Sequence, residues 1–291
     1  MLASGPHTAL RRRADRRRRY PRRRRPRRSQ PAGQGAGFAR LAAAGVRVDR
    51  APDLEPRARR INEAFSHYIQ TGRPLLTLKA ALTLDGKISA PDDNTGWITS
   101  DQARAHVQQV RHDHDAILTG IGTVLADDCL LTDRTGLPRR LPLLRVVVDS
   151  QLRLPLSSRL VATFQNDLLV AATSAASAQR RAALEALGIP VVTFDGPGGR
   201  VDLGQLIRWL GEQKKISVMM EAGSKLNWGA LEAGVVNKVL FYYAPKILGG
   251  LESLPVATGL GRRSRSAALR LRDLRTFSVA PDEFVVEAWV A

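Results

Sequence analysis

At 291 residues, with 44% hydrophobic and 25% charged content, the chain can hold one large or two small soluble domains with a full core. No apolar run approaches the roughly 20 residues of a membrane helix. The single cysteine, Cys129, excludes an internal disulfide and a cysteine-cluster metal site, so a reducing cytoplasm is the expected compartment.

The formal charge of +18 is concentrated in one place. Residues 1–30 hold thirteen arginines against one aspartate, and the other 261 residues carry only +6. Residues 1–35 have too few apolar side chains to offset their conformational entropy, so an Arg-rich disordered tail is expected. Such a tail could contact a polyanion, but it lacks the interleaved aromatics of a strand-binding platform, and nucleic-acid binding is not taken as the function. Residues 36–70 read as a linking arm. GFARLAAAGVRVDRA predicts a short helix, a glycine stop and a brief strand. Ile61, Phe65 and Ile69 then recur at helical spacing, and Gly72 and Pro74 end that helix.

The main domain runs from 71 to 291. LLTLKAALTLDGKIS (75–89) alternates like a strand, with Asp85-Gly86 as its turn. Ser100 is a plausible N-cap for a helix carrying Ala103, Val107 and Val110 on one face. Strands are predicted at 116–119, 145–150, 168–173, 190–194, 216–223 and 238–245, with helices at 175–187, 202–213 and 226–236. The C-terminal segment reads as two strands joined around Pro281-Asp282. This alternation predicts an α/β fold with a largely parallel sheet flanked by helices and an antiparallel edge.

In an open α/β sheet, ligands gather at the carboxyl ends of the strands. Four such ends carry chemistry: Asp85, the stretch TGIGTVLADDCLLTDR (119–134), Asp149-Ser150, and Glu221-Ala222-Gly223-Ser224. The glycines of the second allow close backbone approach to a ligand, and Arg134 suits a phosphate. The fourth resembles a phosphate cradle at a helix N-terminus. Ser150 with Arg153 could hold a 2′-phosphate, which favours NADP over NAD. The absence of GxGxxG argues against a standard Rossmann site. His112 and His114 flank a helix C-terminus, where a surface role is expected. No HxxxH, CxxC, GxSxG or P-loop spacing occurs, so no metal site is expected.

The segments LKAALTLDGKIS, GWITSDQARAHVQQVR, DAILTGIGTVLADDCLLTDR, VVVDSQLRLP, MEAGSKLNWGALEAGVV and YYAPKILGG resemble, in order and spacing, the reductase domain of the bacterial bifunctional riboflavin-biosynthesis deaminase/reductase. The resemblance implies a dihydrofolate-reductase-like fold, a homodimer and NADPH as cofactor. It implies hydride transfer to the ribosyl chain of 5-amino-6-(5-phosphoribosylamino)uracil, opened as an imine, to give the ribitylamino product. Matched by position, cofactor contacts fall on Ala81, Trp97, Thr123, Asp127, Ser150 and the run Gly223, Ser224, Lys225, Leu226, Asn227, Trp228, Gly229. Substrate contacts fall on Thr95, Arg111, Leu131, Arg134 and Glu221. Lys79, Asp127 and Glu221 are the candidates for proton handling.

Two departures stand out. The family's Asp-Asp-Pro is Asp127-Asp128-Cys129, so the loop loses a rigid φ and is expected to be looser. The HxE and cysteine pair of the family's zinc deaminase are absent from the sequence, although residues 36–70 resemble the end of that domain and the arm after it, which suggests a lost deaminase. Two other readings stay open: the same fold acting on the undeaminated diaminopyrimidine or a pteridine-like substrate, and a polyanion-binding protein led by its tail.

Overall fold

The apolar runs that predict buried strands are strands in the computed structural model, which describes residues 33–49, 52–92 and 95–291. Two units are distinct, divided after Pro52. Within the first, α1 (Gly33–Ala43) ends at Gly45, whose φ of 76° suits a residue without a side chain. Residues 46–49, expected as a brief strand, form none. The rest of the expected Arg-rich tail lies outside the described residues.

The second unit begins with α2 (Glu55–Ile61) and α3 (Glu63–Thr71). The single helix expected here is broken at Asn62, whose φ of −102° and ψ of 11° are not helical. The side chains of Ile61, Phe65 and Ile69 are exposed, so helical spacing does not mark a buried face here. Gly72 closes α3 in the left-handed conformation.

The remaining elements are β1 (Leu75–Thr83), β2 (Lys87–Ser89), α4 (Asp101–His112), β3 (Ala116–Gly120), α5 (Ile121–Asp127), β4 (Leu144–Val148), α6 (Arg159–Ala162), β5 (Leu168–Ala172), α7 (Ala178–Ala186), β6 (Val191–Thr193), α8 (Leu203–Glu212), β7 (Ser217–Met220), α9 (Ser224–Glu232), β8 (Lys238–Ala244), β9 (Leu254–Pro255), β10 (Leu271–Ala280) and β11 (Glu283–Val290). Nine strands form one sheet in the order β10-β11-β8-β1-β7-β3-β4-β5-β6. The seven from β8 to β6 are parallel, and β10 and β11 add an antiparallel edge. This is the expected α/β architecture. One strand differs: β2 follows the Asp85-Gly86 turn but pairs with β9, not back onto β1.

Alternation along the central strands separates the two faces. Leu76, Leu78, Leu118, Val146 and Met220 pack beneath α8 and α9. On the other face, Ile117, Val147 and Val170 pack with α5 and α7, while Met219 and Tyr242 meet Ala103 and Val107 of α4. Ser100 caps α4 as expected, accepting from Ala103 N, and also donates to Glu283 at 2.5 Å. Helix α3 is anchored by Tyr68, whose hydroxyl donates to the Gly211 carbonyl, and by a Glu63–Lys238 ion pair of 2.6 Å. Gly211 matters for this docking, because a Cβ there would lie 2.2 Å from the Gly72 carbonyl oxygen. Gly211→Ala is expected to destabilise the domain by about 1–3 kcal/mol through overpacking, read as a lower urea midpoint at unchanged slope.

Candidate active site

The centre of the site is a carboxylate between two cations at the end of the central strand β7. Glu221 accepts from Arg111 Nε at 2.6 Å and Arg111 Nη2 at 3.0 Å, and its Oε2 lies 3.3 Å from Lys79 Nζ. Lys79 comes from β1, beside β7, and Arg111 from the last turn of α4. All three side chains are only 11–14% exposed. Burial alone would push the Glu221 carboxyl up, but Lys79 and Arg111 together hold it down to about 2. Arg111 also donates from Nη1 to the Thr132 carbonyl at 3.0 Å, so one guanidinium ties β7 to the loop after α5. The Lys79 ammonium sits over the Tyr242 ring, 5.6 Å from its centroid, and the Tyr242 hydroxyl meets His106 Nδ1 at 2.7 Å.

The stretch from Thr119 to Arg134 forms the next wall. Its first glycine serves packing rather than a ligand: a Cβ on Gly120 would lie 3.1 Å from Leu226 Cδ2 of α9. Ile121 and Val124 bury one side of α5. Asp127 is the last residue of that helix, where the dipole opposes a negative charge. Although much of the residue faces solvent, desolvation around its carboxyl pushes it up. Beyond it the chain is not regular. Leu131 is buried with a φ of 52°, and Arg134 is exposed. The Arg134 guanidinium makes no hydrogen bond or ion pair among the described residues.

The third wall is the N-terminus of α9. Gly223 is the N-cap, and the N–H groups of Ser224 and Lys225 meet no acceptor among the described residues. A Cβ on Gly223 would come within 3.8 Å of Thr123 Oγ1, so glycine leaves a gap between the start of α9 and α5. Ser224 is buried and donates to the Pro255 carbonyl or meets the Thr258 hydroxyl at 2.6 Å. Asn227 donates to the Val256 carbonyl, while its buried Oδ1 and the buried Trp228 Nε1 meet no partner among the described residues. Lys225 is exposed, while Leu226 and Gly229 are half-buried. The geometry suits an anion on the backbone of this turn.

The remaining candidates stand farther out. Ala81 is half-buried on β1, opposite Tyr242. Trp97 is 66% exposed, stacked by the Arg104 guanidinium, and its carbonyl accepts from Lys246. Thr95 is exposed in the same loop. Asp149 is buried and accepts from Leu154 N, with burial pushing its carboxyl up. Ser150 Oγ accepts from Val201 N at 3.1 Å, which leaves its hydroxyl hydrogen to donate, and Arg153 is exposed. One strand, β3, lies between the strands that end at Ser150 and Glu221, a separation of two strand spacings or roughly 10 Å. Asp85, singled out at a strand end, is committed to structure: it accepts from Thr83 Oγ1, Leu248 N and Gly249 N, and Thr83 first among these holds its carboxyl down to about 2. The surface role expected for His112 and His114 is corrected. Both are partly buried, His112 on Asp133 and His114 on the Val110 carbonyl.

Sequence reasoning missed Tyr242, Asp133, Arg139 and Arg145. Arg145 is 1% exposed and binds the Leu130 carbonyl, Thr163 and Asp167. Its place at the head of the apolar run RVVV was the one available signal, since an arginine within a buried strand must find partners.

Residues 74–283 match the family model of the RibD C-terminal domain. The riboflavin biosynthesis protein RibD of Actinobacillus pleuropneumoniae is 39% identical over 252 residues, covering 87% of this chain and 66% of that protein. The Escherichia coli RibD is 34% identical over 268 residues, covering 87% and 70%. Among solved structures, RibD of Acinetobacter baumannii superposes with a TM-score of 0.74 at 27% identity, over 88% of this chain and 69% of that one. A diaminohydroxyphosphoribosylaminopyrimidine deaminase/5-amino-6-(5-phosphoribosylamino)uracil reductase from Thermotoga maritima gives 0.70 at 26%, over 88% and 67%. The yeast riboflavin biosynthesis reductase Rib7 shares the fold, at 0.58 and 21% identity, over 79% and 99%. The chain thus spans about two thirds of the length of its bacterial relatives. It belongs to the RibD C-terminal domain family, the reductase domain of riboflavin biosynthesis.

Proposed function

We propose that the chain reduces the ribosyl chain of 5-amino-6-(5-phosphoribosylamino)uracil to the ribityl chain with NADPH, through residues 71–291. The observation that carries this reading is one juxtaposition: a carboxylate held by two cations lies two residues from an open anion cradle, at the end of β7. Two cations against one carboxylate leave the pocket one net positive charge, and Arg134 adds a second, which suits a phosphorylated substrate. The cradle fits a dinucleotide diphosphate, because Gly223 keeps a gap that a side chain would fill and the first N–H groups of α9 are open. Residues Gly223–Gly229 with Thr123 would hold the diphosphate, Ser150 and Arg153 the 2′-phosphate, and Ala81 and Trp97 the apolar rings.

NADPH, when bound, supplies the hydride. The chain supplies alignment and proton handling. Glu221, with a pKa of about 2, is ionised at neutral pH, so it accepts hydrogen bonds from ribose hydroxyls and is not the proton donor. Lys79 Nζ, 3.3 Å from that carboxylate and nearly buried, carries exchangeable protons beside it and is the stronger donor candidate. Asp127, pushed up by desolvation, is the other. Arg111 has three of its N–H groups committed to Glu221 and Thr132, which makes Arg134 the principal phosphate ligand and Arg111 a fixed wall. The open edge of β10, with Leu274 exposed, is the kind of surface a second copy covers, and a cytoplasmic homodimer is part of this reading.

NADPH oxidation with the deaminated substrate, and its absence with the undeaminated one, tests the reaction; the reverse preference overturns this substrate assignment. Lys79→Met is expected to lower kcat about 10²-fold or more while KM for NADPH stays put. Gly223→Ala should weaken NADPH binding about tenfold by fluorescence titration, with no loss of melting temperature, since the new Cβ meets only ordinary contacts. The depressed Glu221 carboxyl contributes stability that is present above its ordinary pKa of 4.5 and lost as pH falls toward 2. Melting temperature should therefore drop across that window, and Glu221→Gln should be less stable at pH 7 and show a shallower drop.

A further inference from the structure

The sixteen residues between α5 and β4 contain no helix or strand, yet they carry the phosphate-facing wall of the site. Loops of this length are ordinarily the most mobile part of a domain. This one also places two non-glycine residues in the left-handed region, Asp128 at φ 39° and Leu131 at φ 52°. Such conformations persist only where the surroundings enforce them. The enforcing contacts can be followed along the chain. Asp128 Oδ1 accepts from Arg159 N at 2.8 Å, Arg145 Nη1 donates to the Leu130 carbonyl at 3.2 Å, and the Leu131 side chain is buried. Arg111 then holds the Thr132 carbonyl, and Arg134 N donates to Gln108 Oε1 at 3.0 Å.

Asp133 stands between these last two, and its carboxylate is only 6% exposed. One oxygen accepts from Thr135 N at 2.9 Å and Thr135 Oγ1 at 2.7 Å. The other accepts from His112 Nδ1 at 2.7 Å and Arg139 Nη1 at 3.1 Å. Because a carboxylate only accepts, His112 must carry its proton on Nδ1. Arg139 continues from Asp133 onto the end of α4, donating to the carbonyls of His112 at 2.7 Å and His114 at 2.6 Å, with a longer contact to that of Arg111 at 3.3 Å. The His112 and His114 carbonyls lie beyond the intrahelical ladder of α4, and the negative end of the helix dipole favours a guanidinium there. Burial would push the Asp133 carboxyl up, but the Thr135, His112 and Arg139 donors hold it well below the usual carboxylate range. The carboxylate is therefore charged at neutral pH, as four donors on its two oxygens require.

We infer that Asp133 and Arg139 are positioning residues, a clasp that fastens the loop to the C-terminal end of α4 and thereby fixes the backbone of Arg134 for the substrate phosphate. The same turn of α4 presents Arg111 to Glu221, so one clasp registers both arginines on a common base. Arg134 itself stays exposed with an uncommitted guanidinium, so its backbone is fixed while its charge is free, the arrangement that lowers the cost of binding an anion. This inference rests on the proposed reading of Arg134 as a phosphate ligand.

Steady-state kinetics on the full chain, with the phosphorylated substrate and its dephosphorylated analogue, test it. Asp133→Asn replaces an acceptor by an amide whose N–H₂ faces donors. It is expected to raise KM for the phosphorylated substrate about tenfold, leaving kcat and KM for NADPH within about twofold. KM for the dephosphorylated analogue should not change, so the discrimination between the two substrates shrinks. Arg139→Lys, which keeps the charge but cannot span the carboxylate and the carbonyls, should do the same. Equal losses of kcat, NADPH binding and both KM values, following a lowered melting temperature, would show a merely structural role and overturn the inference. Arg134→Ala separates the two levels of argument. If it abolishes phosphate discrimination while Asp133→Asn and Arg139→Lys retain it, the clasp alone is wrong. If Arg134→Ala retains full discrimination, the phosphate reading falls and the clasp's role falls with it.

Discussion

The structure depends first on the charge balance around Glu221. A carboxylate buried at the end of the central strand costs several kcal/mol in desolvation unless cations meet it. The two that do come from β1 and α4, elements separated in sequence, so the fold must be complete before the charge is neutralised. The reverse also holds: removing the carboxylate would leave two nearly buried cations facing one another. Strand order, the seating of α4 and the attachment of the following loop through Thr132 are thus parts of one constraint. The same constraint fixes the protonation state of Glu221 and so narrows which groups can give up a proton.

Around this centre, glycines divide between packing and ligand access. Gly120 and Gly211 are required by neighbours, Leu226 in one case and the Gly72 carbonyl in the other. Gly223 is different, because a Cβ there would meet only the Thr123 hydroxyl at ordinary distance. What glycine protects at 223 is space, not a contact. Since α9 is seated on Gly120, the packing glycine sets where the cradle lies and the access glycine keeps it open.

The sheet was legible because parallel strands buried on both faces read as apolar runs, as in RVVV and LLVAA. Caps were legible where a side chain does the capping: Ser100 and Asp202 both accept from the N–H three residues on. The helix break at Asn62 was not, since nothing in local periodicity distinguishes a broken helix from a continuous one. Of the site, Glu221, Lys79, Arg111 and the α9 turn could be located by motif, and the ion cluster joins the first three. The Asp133–Arg139 clasp was invisible for a physical reason. Its partners are backbone carbonyls, which have no sequence signature, and a histidine more than 20 residues away.

The loop after α5 was expected to loosen because cysteine stands where the family has proline. Its geometry argues otherwise. The residue before a proline is driven toward extended backbone, yet Asp128 is left-handed, with φ 39° and ψ 49°. A proline at 129 would therefore oppose the conformation that lets Asp128 accept from Arg159 N. Cys129 is itself partly buried against the cluster around Ile121 and Leu131, and burial pushes its thiol up to about 11, so it packs as a small apolar side chain rather than a nucleophile. The rigidity a proline ring would lend to one φ is replaced by contacts at Asp128, Leu130, Thr132, Asp133 and Arg134. Order in this loop is held by tertiary bonds, which makes it dependent on the packing of α4 and α6 in a way that a ring is not.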